Sequence, residues 1–302
     1  MAQQVNESVE GGVDVGVLHP GAMGSQVGAQ AVAAGARVWW VAAGRSAQSR
    51  ARAEAAGLLA VDSVDELAAR CGIILSVCPP AAALDVAALV AATPFSGIYA
   101  DANAISPQHA ADVARLLGER VRVVDGGIVG GPPRNPGDTV LYLSGSDEQA
   151  VDVVRELFAK TALEPHVLPG GIGQASALKL AFASYNKISY VLAAQAFALA
   201  EGHGVLDELV EIAKKKVPGT LLARPEQVGT AGPRAWRWAP EMREIAAACA
   251  EVGVPGDVAE IASGVFLRWE HLKSAEDVSV EQLISALRNE GGEDRDSNGS
   301  DD

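Results

Sequence analysis

In the first half of the chain, apolar residues come in short unbroken runs, at 13–18, 36–42, 73–77, 98–101, 121–125 and 140–144. A strand covered on one face alternates apolar and polar positions, whereas a strand covered on both faces reads as a continuous apolar run. Ala-rich segments of helical character separate the runs. The pattern therefore predicts repeated βαβ units and a mostly parallel sheet with helices on both faces. After Pro169-Gly-Gly171 the pattern changes. One apolar-rich helix is expected from Gln174 to about His203, with neither Pro nor Gly before Gly202. Helical segments follow at 206–215, 235–251, 258–271 and 279–288, separated by Gly and Pro. The expected fold is an α/β N-terminal domain over residues 12–169, then a long interdomain helix opening an all-α domain over 170–289.

The first apolar run leads into His19-Pro20-Gly21-Ala22-Met23-Gly24, and an Ala-rich helical stretch follows. Strand, tight Gly turn and helix are the layout of a dinucleotide site of the Rossmann type. Glycine lets the backbone approach a pyrophosphate, and the helix N-terminus offers free N–H groups and a favourable dipole. His19 stands where the first glycine of GxGxxG usually sits, so the motif is degenerate and an ordinary strand–turn–helix is its plain alternative. Gly28 continues the helix face with a small residue suited to packing on the sheet. The second run ends at Arg45-Ser46, with Arg50 and Arg52 beyond, and no acid is present to hold ribose hydroxyls. A guanidinium and a hydroxyl suit a 2′-phosphate, which points to NADP(H), although a solvated basic turn would look the same. Cys78 and Pro79, at the end of the 73–77 run, are counted with this cofactor edge.

Composition narrows the class. The chain has 302 residues, enough for two domains, and 49% of them are apolar, which supports a sizeable core. A net charge of −14 argues against a nucleic-acid backbone as partner. Segments 1–11 and 290–302 are polar, the latter acidic and Gly/Ser-rich, and are expected to be loose tails. No signal-peptide pattern or membrane-span length is seen, so a soluble, cytoplasmic protein is expected. Cys71, Cys78 and Cys249 are odd in number and lack CxxC spacing, so neither a disulfide framework nor a metal site is expected.

With these residues and three further motifs, the chain resembles the β-hydroxyacid dehydrogenase superfamily over roughly residues 13–272. That group includes hydroxyisobutyrate and phosphogluconate dehydrogenases, with imine reductases as relatives. The resemblance implies an N-terminal Rossmann domain, an all-helical C-terminal domain, a small-molecule substrate and an intertwined homodimer. Asp101-Ala-Asn103-Ala-Ile-Ser106-Pro107 matches the segment after the fifth strand, which would set Asn103 beside the nicotinamide. An Asx turn or helix cap would equally explain those polar residues. Asp125-Gly-Gly-Ile-Val129-Gly130-Gly131 matches the substrate loop, with Val129 in place of a substrate-binding serine. Gly173-Gln-Ala175-Ser176-Ala-Leu-Lys179 resembles the stretch whose lysine is the family's general acid or base, with Ala175 in place of a glycine. A lysine in an apolar helix loses hydration, which favours the neutral form that accepts a proton, although a lone lysine also commonly snorkels. The family's asparagine one turn later is replaced by Ala183. Asn186, about two turns beyond Lys179, shares the face of Ser176 and Lys179. Arg243 stands near the family's C-terminal Lys-Asp pair. Trp236 and Trp238 are read as core, and His203 as part of a helix end.

Three functions follow. The first is an NADPH-dependent dehydrogenase or reductase acting on a carbonyl or hydroxy compound, with Lys179 and Asn103 catalytic and Val129, Gly130, Gly131, Ser176 and Asn186 toward substrate. The second is a reductase of a cyclic imine, favoured by the missing serine and asparagine and opposed by the positive charge of Lys179. The third is a nucleotide-binding regulatory protein without turnover.

Overall fold

The computed structural model describes residues 12–288, so the segments expected to be loose tails lie outside the described residues. The chain divides into two compact units, 1–180 and 181–302. The first holds β1 (Asp14–Leu18), α1 (Ala22–Ala33), β2 (Arg37–Val41), α2 (Ala47–Ala55), β3 (Leu59–Val61), α3 (Val64–Arg70), β4 (Ile73–Ser76), α4 (Ala83–Ala91), β5 (Ile98–Asp101), α5 (Pro107–Leu117), β6 (Arg122–Gly130), β7 (Thr139–Ser144), α6 (Glu148–Phe158) and β8 (Leu163–Val167). The long helix α7 (Gln174–Gly202) crosses the division, and α8 (Leu206–Lys216), α9 (Pro225–Val228), α10 (Ala235–Glu251), α11 (Asp257–Arg268) and α12 (Val280–Arg288) follow it.

The eight strands form one sheet in the order β3-β2-β1-β4-β5-β6-β7-β8. β1 to β6 are parallel, β7 reverses against β6, and β8 runs parallel to β7. Successive residues of each central strand feed opposite layers, as the period of two requires. Val15, Val17, Ile73, Leu75, Ile98 and Ala100 join α1 and α6 side chains on one face. Ile74 and Tyr99 join Leu67, Val86, Val90 and Val113 on the other. Gly16 shows how close the second layer lies, because a Cβ there would reach 2.5 Å from the Leu67 side chain. Side-chain caps fix several helix starts: Ser46, Ser63, Ser106 and Asp147 each accept from the backbone N–H three residues on.

Three departures from the expected strands have physical causes. β3 has only three residues in an Ala-rich stretch, too short to stand out as a run. β8 reads Leu-Glu-Pro-His-Val and is mostly exposed, because it is the outermost strand and needs no continuous apolar sequence. β6 continues through the expected substrate loop as far as Gly130, pairing antiparallel with β7 from Asp125↔Ser144 to Gly130↔Thr139. Its glycines made it look like a turn.

The division at residue 180, rather than near Pro169, reflects how the start of α7 is held: its first turn hydrogen-bonds to side chains of β6 and β7. The second unit is helical throughout, as expected. Tyr190, Trp238, Phe266 and Trp269 form a chain of tilted and edge-on ring contacts. Trp269 is fully buried and its Nε1–H donates to the Leu283 carbonyl. Lys187 and Glu241 form a buried ion pair beside Trp238. Trp238 thus packs as read from sequence, whereas Trp236 is exposed. The end of α7 at His203 is a Gly-terminated cap, with Gly204 at φ 72° and the Val205 N–H donating to the Ala200 carbonyl.

Candidate active site

The sheet order reverses between β1 and β4, and the C-terminal ends of β1, β2, β4 and β5 lie along one edge there. In open parallel sheets ligands bind at such a point. The edge gathers His19, Pro20 and Gly21 from β1, Arg45 and Ser46 from β2, Cys78 and Pro79 from β4, and Asn103 from β5, all marked for the cofactor in the sequence.

The β1–α1 turn assigns a separate task to each motif position. His19 has φ 71°, and among the described residues it alone adopts positive φ without being glycine. It takes the left-handed conformation that the usual first glycine supplies. The Gly21 N–H donates back to the His19 carbonyl at 2.7 Å, closing the turn. A Cβ on Gly21 would meet nothing within 4 Å, so this glycine borders open space. A Cβ on Gly24 would run into the His19 carbonyl, and one on Gly28 would press on Leu58 and Val17. Gly24 and Gly28 therefore serve packing, and Gly21 serves approach from outside. No side chain caps α1 and no acid stands in its first turn, so its dipole and N–H groups face the open side uncompensated. These residues fit a dinucleotide pyrophosphate.

On the adenosine side, Ser46 spends its hydroxyl accepting the Ser49 N–H as the α2 cap. Arg50 donates to the Arg45 carbonyl at 3.4 Å, and no carboxylate pairs with Arg45 among the described residues. At the end of β5, Asn103 is buried and fully engaged. Its Oδ1 accepts the Cys78 N–H at 2.6 Å, and its Nδ2 donates to Ser76 Oγ at 2.9 Å and to Asp101 Oδ2 at 3.0 Å. It clamps the ends of β4 and β5 together, the Asx-type reading of the motif. Burial raises Asp101 to about 7, with the neighbouring Asp125 adding to the shift and the Asn103 hydrogen bonds opposing it. Burial likewise pushes the Cys78 thiol up to about 12, so it is held protonated.

The residues with the largest structural role at the start of α7 were not singled out from sequence. Asp125 is buried at the parallel end of β6, in register with Asp101. Its Oδ2 accepts from Ser144 Oγ at 3.0 Å, the Gly173 N–H at 2.9 Å and the Ser176 N–H at 3.1 Å, and its Oδ1 accepts from Ser176 Oγ at 2.6 Å. Ser144 in turn accepts the Ala175 N–H at 3.0 Å. A carboxylate at the N-terminus of α7 satisfies the orphan donors there and complements the helix dipole. Ser176, marked for substrate, is corrected by this network: it is buried, and its hydroxyl belongs to Asp125. The signal in the sequence was an acid closing each of two buried apolar runs, Asp101 and Asp125.

Lys179 follows one turn after this anchor. A Cβ on Gly127 would lie 2.5 Å from the Ala175 carbonyl and 3.0 Å from Lys179 Cβ, so α7 rests directly on β6 at this glycine. Gly126 is similarly close to Asp101 and Ala102. Gly127 therefore serves strand–helix contact and Gly126 the close approach of the β5 end, and neither borders open space. Gly131, with nothing within 4 Å of an added Cβ, ends the strand in the open, whereas Gly130, at φ 127°, is packed so that a Cβ would lie 2.4 Å from the Asp138 carbonyl, and Val129 is half-buried. Asn186 is exposed on α7, well past the anchored turn.

With this geometry in hand, residues 14–169 match the NAD binding domain of 6-phosphogluconate dehydrogenase, and residues 200–269 match a domain of unknown function, DUF1932. The chain belongs to the β-hydroxyacid dehydrogenase superfamily. Its first unit is a Rossmann-type domain of the kind that binds a nicotinamide dinucleotide. A curated relative, an uncharacterized 28.5 kDa protein of Methanothermus fervidus, is 27% identical over 169 residues, covering 56% of this chain and 64% of that protein. Among solved structures, 3-hydroxyisobutyrate dehydrogenase of Mycobacterium tuberculosis in the presence of L-serine is 18% identical, with TM-score 0.70 over 92% of this chain and 99% of that one. A reductive aminase from Aspergillus terreus in complex with NADPH and ethyl-5-oxohexanoate is 22% identical, with TM-score 0.55 over 92% and 100%. At these identities the shared property is the fold.

Proposed function

We propose that this superfamily member is an NADPH-dependent oxidoreductase that interconverts a small carbonyl compound and its alcohol. The observation that carries the reading is the β1–α1 turn, where Gly21 opens to solvent beneath an uncapped helix N-terminus. A bound nicotinamide supplies or accepts the hydride at the substrate carbon. Lys179 gives a proton to the carbonyl oxygen in reduction and removes one from the hydroxyl in oxidation. The backbone at Gly130 and Gly131 borders the substrate, and Asn103 fixes the strand ends against which the nicotinamide lies. Arg45, unpaired with any described carboxylate in a chain of net charge −14, supports the choice of a 2′-phosphorylated cofactor. The Aspergillus terreus reductive aminase, in complex with NADPH, supports that choice.

A second reading, reduction of an imine, rests on Val129. An apolar side chain where the family keeps serine removes a hydroxyl that would orient a carboxylate. NADPH consumption measured over aldehydes, keto acids and cyclic imines separates the two. Turnover of a carbonyl substrate that falls about 10²-fold or more in Lys179→Ala upholds the main reading. Turnover confined to imines overturns it in favour of the second, and nucleotide binding with no hydride transfer on the whole panel overturns both.

The assembly we propose is a homodimer joined along α7. Phe182, Tyr185, Leu192 and Leu199 are exposed on that helix, and they recur every three to four residues with the half-buried Ser189 and Ala196 between them. The spacing is that of a helix–helix seam, and a second copy of the same helix offers a matching surface. Among the described residues no helix is long and apolar enough to cross a membrane, so a bilayer-spanning role for this stripe is not in view.

A further inference from the structure

No side-chain partner accounts for His19. Its backbone is in the left-handed region, where a β-carbon is disfavoured by about 1–2 kcal/mol. Glycine would serve the turn without that cost. Its ring is half-buried, and Nδ1 is covered by protein with no hydrogen-bond partner, one of two such buried side-chain atoms among the described residues. β1 and β2 are parallel neighbours, and His19 and Arg45 follow their adjacent C-terminal ends, close enough for the Arg45 charge to act on the ring; the Arg45 N–H donates to the Ala42 carbonyl. Two cationic or cationisable groups thus flank the open adenosine end of the turn, and neither has an anion.

We propose that His19 and Arg45 together read the phosphate on the adenosine ribose of the dinucleotide, and that His19 takes up a proton when this phosphate binds. The proposal rests on the NADPH reading above and deepens it. In the free protein, burial and the Arg45 charge hold the imidazole down at about 4, against a smaller opposing effect of the Leu18 carbonyl. The ring is therefore neutral at physiological pH. A phosphate dianion between the two side chains cancels the repulsion from Arg45 and gives the imidazolium an acceptor for its N–H. The other groups around the turn do not compete. Arg50 lies behind Arg45, the Cys78 thiol at the end of β4 is protonated, Asp101 is turned into the β4–β5 clamp, and the first turn of α1 carries no acid.

The size of the effect follows from linkage. If binding returns His19 from about 4 to its ordinary value of 6.5, the His19 contribution, read as parent minus His19 variant so that the phosphate's own ionisation cancels, is about a tenfold rise in NADP⁺ affinity between pH 8 and pH 5.5 and about 0.9 proton taken up per nucleotide at pH 5.5. NAD⁺, lacking the phosphate, shows neither change. The test is titration calorimetry of the full chain with NADP⁺ and NAD⁺ across this range, in two buffers of different ionisation enthalpy to count protons. His19→Asn, which tolerates the left-handed backbone, and His19→Gly are measured alongside. The expected result is that both variants bind both nucleotides but lose most of the proton uptake and the pH slope. If both variants bind NADP⁺ with the same proton count as the parent, the phosphate's own ionisation explains the linkage and the proposal is overturned, with the cofactor reading intact. If neither nucleotide binds the parent protein, the cofactor reading itself fails and takes the proposal with it.

Discussion

Replacing Asp125 with alanine tests the anchoring of α7. The carboxylate holds two backbone N–H groups, of Gly173 and Ser176, and two serine hydroxyls, all buried. The hydroxyls can rotate to other acceptors, but the two N–H groups cannot, and each orphaned buried donor costs roughly 1–3 kcal/mol. Removing a buried charge recovers part of that, so a net loss of about 3 kcal/mol is expected. Asp125→Asn keeps the shape and one acceptor oxygen and should lose about half as much. Urea unfolding measures the loss as a shift of about 1 M in midpoint, taking a slope of roughly 3 kcal/mol/M. Hydrogen exchange gives the local readout: the Gly173, Ala175 and Ser176 amides should exchange faster in Asp125→Ala while amides of β1 and β2 respond only through global stability. A midpoint within about 0.2 M of the parent, with those amides as protected as before, would refute the claim that this carboxylate fastens the helix.

Other consequences can be checked alongside. Gly127→Ala should destabilise the protein by about 1–3 kcal/mol and depress kcat, because its Cβ must displace the backbone carrying Lys179, whereas Gly131→Ala, with open space around it, should leave stability unchanged by the same denaturant assay. Asp101, raised by burial to about 7 from 3.8, binds a proton more tightly in the folded state, so its contribution is complete at acid pH and is lost as pH rises through 7. Stability of the parent relative to Asp101→Asn should accordingly fall by on the order of 1 kcal/mol per pH unit between pH 5 and 7, as read from denaturation midpoints across that range. Tyr185→Glu, at the most exposed apolar position of α7, should shift sedimentation from dimer to monomer at micromolar protein.

The parallel layers and the long helix were legible because both arise from repeated, locally coded patterns. Buried strands with unbroken apolar runs and a helix free of Pro and Gly announce themselves at the right positions. The turn motif was also legible, down to the odd histidine at its first position. What the sequence concealed was which groups a glycine or a serine meets. Gly126 and Gly127 carry the composition of a loop, yet they lie in a strand, Gly126 crowded by the β5 end and Gly127 by the helix that rests on it. Ser176 looks like a substrate contact on helical periodicity, yet its partner is Asp125, far away in the chain and brought near only by the β6–α7 return. β8, with a proline and two ionisable residues in five, has no strand signature. Such facts depend on tertiary neighbours, and a local pattern does not encode them.

That outermost strand has a consequence for the life of the protein in a crowded solution. The rim of a sheet is a template on which another chain can add a strand, and a long apolar rim invites fibrillar growth. Here Pro165 withholds one amide from any incoming backbone, and Glu164 and His166 oppose a greasy neighbour. The same residues that made the segment hard to recognise guard this border of the molecule against adhering to its own kind.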